Sequence, residues 1–71
     1  MNDLEISYAH YNNIADAIAP FSRTEILTSD KGFTIVLTTI IGYEYPVLKE
    51  ARGQGISTFF LLKPPKEAIN D

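Results

Sequence analysis

The run Phe33-Thr34-Ile35-Val36-Leu37-Thr38-Thr39-Ile40-Ile41 constrains this chain more than any other segment. Every residue in it is apolar, aromatic or threonine. β-Branched side chains lose rotamer freedom in a helix and pack well on a pleated surface, so the run reads as a strand. Alternation places Phe33, Ile35, Leu37 and Ile41 on one face, and Thr34, Val36, Thr38 and Ile40 on the other. A strand apolar on both faces is central in its sheet, or its weaker face meets a partner. The chain around it has only 71 residues. A monomer of that size buries about 60% of the surface its unfolded chain exposes, so the core is thin and residues 1–71 make a single small domain.

The flanking residues predict how that strand is paired. Arg23 to Thr28, then Ser29-Asp30-Lys31-Gly32, lead into it as a β-hairpin; Asp30 starts the turn through its side chain and Gly32 takes the left-handed backbone that closes it. Gly42 is expected to bend the strand into an extension in which Tyr43, Tyr45 and Val47 alternate with Glu44 and Pro46. Pro46 assigns that extension to a sheet edge, because a missing N–H costs nothing there. Lys49 to Gly55, with mixed charge and two glycines, reads as a loop. Ile56 to Lys63 is the last strand, stopped by Pro64-Pro65, and the polar tail 66–71 reads as a frayed turn.

Two readings compete at the N-terminal end. Leu4, Tyr8, Tyr11, Ile14, Ala15 and Ile18 fall on one stripe of a long helix ending at Ala19, before Pro20. Alternatively Leu4, Ile6 and Tyr8 are the inward positions of a short strand, and Asn12 or Asn13 caps a shorter helix. Both give an α+β fold in which an N-terminal helix packs on a three- to four-stranded, mainly antiparallel sheet. The expected core joins Ile18, Ile35, Leu37 and Phe60.

Composition narrows the function. With 45% hydrophobic and 21% charged residues the chain falls among globular sequences. Six basic and nine acidic residues give a net charge of -3 without a Lys/Arg cluster, so direct nucleic-acid binding is not expected. Lack of cysteine removes disulfides and thiolate chemistry, which leaves packing or association to stabilise a small fold. His10 is the only histidine, and the carboxylates are scattered without a metal-binding spacing. No serine lies in a nucleophile elbow. The expectation is therefore a protein that is not an enzyme and takes no metal or cofactor. The acidic start and the short apolar runs point away from a signal peptide and a membrane span, hence to the cytoplasm.

The segment Arg52-Gly53-Gln54-Gly55-Ile56-Ser57 resembles the pyrophosphate-binding loop of the acetyl-CoA-dependent N-acetyltransferase superfamily. The resemblance implies backbone N–H groups at the start of a helix, cradling the cofactor's phosphates. Ser57 stands where that family prefers Gly or Ala, and Pro64-Pro65 cuts off the helix that should follow. From its residues alone the segment reads as an inter-strand loop.

What remains is surface. Tyr43, Glu44 and Tyr45 on the expected edge are the protein-binding candidates, since tyrosine combines a large apolar ring with a polar tip and anchors interfaces. The resulting reading is a non-catalytic protein that docks on a larger protein, as an inhibitor or accessory subunit of the kind that phages and mobile elements direct against host defence or nucleic-acid-processing machinery. The alternative is a structural homo-oligomer, or a domain binding a small acetyl-CoA-like ligand through Arg52 to Ser57.

Overall fold

The computed structural model describes residues 3–63, so the Pro64-Pro65 stop and the tail lie outside the described residues. Strand β1 (Asp3–Ile6) leads into helix α1 (Tyr8–Ile18) and a 3-10 turn (Ala19–Phe21). Strands β2 (Ser22–Thr28), β3 (Thr34–Ile40), β4 (Leu48–Gly53) and β5 (Ile56–Leu62) follow. They form one antiparallel sheet in the order β1-β5-β4-β3-β2. The α+β class and the helix on a sheet agree with the sequence reading; the strand count among the described residues is five, where three or four were expected.

The first added strand is β1. Ser7 has extended backbone (φ -73, ψ 161), and its hydroxyl accepts a hydrogen bond from the His10 backbone N–H at 3.1 Å, which starts the helix there and leaves residues 3–6 to pair with β5. The short-strand reading thus holds for Leu4 and Ile6 but not for Tyr8, which begins the helix, and the cap is Ser7 in place of Asn12 or Asn13. Tyr11, Ile14, Ala15 and Ile18 form the covered stripe of α1, as their spacing requires. Pro20 lies in the 3-10 turn that ends the helix.

The β2–β3 hairpin forms with Gly32 at φ 85. The turn is held by Ser29 and not by Asp30: the Ser29 Oγ accepts from the N–H groups of Lys31 (3.3 Å) and Phe33 (3.1 Å). At the other end of β3, Gly42 has φ 97, and the Tyr43 N–H donates to the Ile40 carbonyl at 2.9 Å. That closes a turn, so β3 stops at Ile40 without the expected bent extension. Tyr43, Glu44 and Tyr45 consequently lie in the β3–β4 connection and not on an edge strand.

The second added strand is β4, which occupies most of the expected loop and is central, between β3 and β5. Its charged residues are tolerated because long side chains lay their apolar stems on the sheet and keep their heads in water. The Lys49 Nζ lies 4.8 Å from the Phe60 ring centroid and 3.1 Å from the Asp3 carboxylate. The Arg52 Nε lies 2.7 Å from the Glu50 carboxylate.

Strand registers sort the side chains into two faces. One carries the rows Leu4-Leu61-Leu48-Thr38-Thr24 and Ile6-Phe59-Glu50-Val36-Ile26. Helix α1 packs on this face, with the Tyr8 and Tyr11 rings 5.3 and 4.8 Å from Phe59. Tyr11, Val36 and Thr38 are buried here, and Leu48 is 0% exposed. The opposite face carries Glu5-Phe60-Lys49-Leu37-Glu25 and Thr58-Ala51-Ile35-Leu27. The expected core is therefore split: Ile18 is on the helix side, whereas Ile35, Leu37 and Phe60 belong to the face away from it. Both faces of β3 are apolar, so alternation alone is compatible with either; the contact of the helix tyrosines with Phe59 puts Val36 and Thr38 inward.

Candidate interaction surface

Among the described residues one helix of eleven residues covers one face of the sheet and the other is open. Across that open face Ile35, Leu37, Phe60 and Leu62 are half-buried, while Leu27 and Phe33 are exposed and Ile56 is 68% exposed. Gly53 lets the Phe33 ring lie directly on the β4 backbone; a Cβ at that position would run into the ring. Phe33, Ile35, Ala51, Gly53, Ile56 and Thr58 line a shallow apolar hollow of about 420 Å³. Glu5 and Glu25 stand at opposite rims of the Phe60-Lys49-Leu37 row, and the Lys49 charge within the row is paired with Asp3.

The β3–β4 loop is fastened to one end of the sheet. The Val47 N–H donates to the Thr38 carbonyl and the Leu62 N–H to the Val47 carbonyl, both at 2.8 Å. Tyr43, at 63% exposed, Glu44 and Tyr45 are all on the surface. The loop thus presents the three residues singled out from sequence, though not as alternating positions of a strand.

The Arg52-to-Ser57 segment differs from what its resemblance implies. Gly53 pairs with Ile56 across a two-residue turn in which Gln54 (φ 54) and Gly55 (φ 79) are both left-handed, the type I′ geometry of a tight hairpin. The chain continues as β5, so no helix N-terminus stands behind the turn to hold a phosphate. The Arg52 guanidinium is engaged by Glu50, whose hydrogen bond and charge raise the Arg52 pKa further. On the same side of the sheet, burial raises the Tyr11 pKa above its ordinary 10.0, with the Thr38 side chain acting in the opposite direction. His10 is exposed on α1. Among the described residues no group of His, Asp or Glu is placed to hold a metal ion, and no helix is long and apolar enough to cross a membrane.

Comparison of the chain with protein-family models, with curated proteins and with solved structures finds no match. The functional reading therefore rests on the surface itself. A partly uncovered face was expected, but on the side of Val36 and Ile40; Tyr8 and Tyr11 pack on Phe59 and bury Val36, so the open face is the opposite one, lined by Ile35, Leu37 and Phe60, which were expected in the core. One short helix cannot cover both faces of a sheet whose central strand is apolar on each, which gives an open face from the sequence but not its side.

Proposed function

We propose that this protein is a non-catalytic binding protein that docks on a larger protein through the open face of its sheet, with the Tyr43-Glu44-Tyr45 loop extending the contact at one end. The observation that carries this reading is the set of apolar residues Phe33, Ile35 and Leu37 beside β4 and Phe60 and Leu62 on its other side, with Lys49 and Ala51 between them, on a face that no helix among the described residues covers. Apolar surface of this kind gains about 25 cal/mol for each Å² removed from water, a driving force for association. The acidic rims at Glu5 and Glu25 and the net charge of -3 fit a partner that offers an apolar ridge edged by basic side chains. A small rigid sheet seated on such a ridge acts by occupying it, as an inhibitor or an accessory subunit does.

The test is a partner captured by the wild-type protein, purified, and titrated calorimetrically against variants. Ile56→Asp places a charge on an exposed part of the open face and should weaken binding at least about tenfold, or 1.4 kcal/mol, with the thermal melt preserved. Tyr43→Ala with Tyr45→Ala should weaken it in the same direction. Ala17→Glu, on the exposed side of α1, should have no effect. A partner that binds Ile56→Asp as tightly as wild type, or is lost with Ala17→Glu, places the contact elsewhere and refutes the reading.

A further inference from the structure

We propose that β2 is a homodimerisation edge: two copies pair their β2 strands antiparallel about a two-fold axis at Thr24, so that Arg23 of each copy lies opposite Glu25 of the other. The two edges of the sheet differ. Strand β1 is four residues long and has Asp3 tied to Lys49. Strand β2 is seven residues long, contains no proline, and is exposed from Arg23 to Thr28. A long unprotected edge is a template for pairing with another strand.

Backbone geometry specifies which groups are free. The Ser29 N–H donates to the Phe33 carbonyl at 2.8 Å and the Ile41 N–H to the Phe21 carbonyl at 2.9 Å. Hydrogen-bonded pairs alternate along an antiparallel ladder, so the odd-numbered residues of β2 exchange bonds with β3. The N–H and C=O groups of Ser22, Thr24, Ile26 and Thr28 then point outward from the edge.

A two-fold axis perpendicular to the sheet keeps each residue on its own face, which allows only registers that oppose residues of the same parity. An axis at Glu25 would set the two Glu25 carboxylates face to face. An axis at Ile26 would put each Glu25 opposite Leu27. The axis at Thr24 pairs Arg23 with Glu25 twice, in the non-hydrogen-bonded positions where side chains are closest. The same axis brings the exposed Phe21 of each copy to Leu27 of the other, and Ser22 to Ile26, which is 65% exposed in the single chain. Outward hydrogen-bonding groups, opposite charges and the apolar pair Phe21 with Leu27 meet their complements in this register. The product is a ten-stranded sheet with both helices on one side and both open faces on the other.

Charge swaps test this by analytical ultracentrifugation of the full chain over micromolar to millimolar concentrations. Wild type should show a reversible monomer–dimer equilibrium. Arg23→Glu and Glu25→Arg should each raise the dimer dissociation constant at least about tenfold, because each sets like charges opposite one another. An equimolar mixture of these two variants should dimerise again, since every 23–25 pair in the mixed dimer is then of opposite sign. The double variant R23E/E25R should also recover the dimer, which a folding defect in the single variants would not allow. Ile56→Asp, on the open face, should leave the equilibrium unchanged, so this test is independent of the docking test above. Wild type that stays monomeric, single variants that dimerise like wild type, or a mixture that fails to recover the dimer would each overturn the proposal.

Discussion

Replacing Leu48 by alanine, beside the same change at Ile35, tests which face of the sheet is the core. Leu48 is 0% exposed, between Leu61 and Thr38 on the helix-covered face. Truncating its isobutyl group to a methyl loses the transfer free energy of three carbons and leaves a cavity that the neighbouring strands can close only in part, for a cost of about 2 to 5 kcal/mol. At roughly 0.05 to 0.15 kcal/mol per residue, a chain of this length has about 4 to 11 kcal/mol of stability in all. A loss near 3 kcal/mol lowers Tm by roughly 12 to 24 °C, at 4 to 8 °C per kcal/mol for a domain of this size. Ile35 is half-buried on the open face, so its truncation loses part of a transfer term and leaves no closed cavity, for about 1 kcal/mol and a fall of roughly 4 to 8 °C. Urea unfolding followed by circular dichroism, fitted with a common m-value, gives both numbers. An Ile35→Ala loss equal to or larger than that of Leu48→Ala would mean that the faces are assigned the wrong way round.

Two further outcomes follow from local geometry. Gln54 holds a left-handed backbone that asparagine adopts more readily, so Gln54→Asn should raise the unfolding free energy by about 0.5 to 1 kcal/mol, seen as a higher urea midpoint, and an unchanged or lower midpoint would exclude the type I′ turn. Burial raises the Tyr11 pKa above 10.0, so above that pH the unfolded chain releases a proton that the folded protein retains. The contribution is complete below pH 10 and is lost as pH rises toward the folded-state value; Tyr11→Phe should remove that part of the alkaline decline in stability, and an identical decline in the variant would show Tyr11 to be solvated.

Much of the fold was legible locally. The β2–β3 hairpin, the last strand and the covered stripe of α1 each follow from side-chain alternation, helical spacing and a left-handed glycine. The misread elements share a cause. Strand β4 carries Lys49, Glu50 and Arg52, whose charges suggest solvent until Phe60, Asp3 and their own pairing give them places on the sheet. Strand β1 is too short for its own period to separate it from the helix that follows, and its pairing with β5 joins residues almost sixty positions apart. The Tyr43-Glu44-Tyr45 segment was recognised as exposed, but the turn at Gly42 put it in a loop.

The sequence by itself determined the α+β class, the hairpin and the surplus of apolar strand surface, because those depend on interactions a few residues apart. Only the tertiary structure decided which surface remains open and which edge is left bare. Val36 and Ile35 are neighbours of nearly equal hydrophobicity on opposite sides of one strand, and no local preference distinguishes them. The choice is made where Tyr8 and Tyr11 meet Phe59 and where Leu48 is enclosed, contacts between residues far apart in the chain. In the same way β2 is an edge of the sheet, among the described residues, because β1 pairs with β5 at the other end, so Arg23 and Glu25 lie on an outer strand.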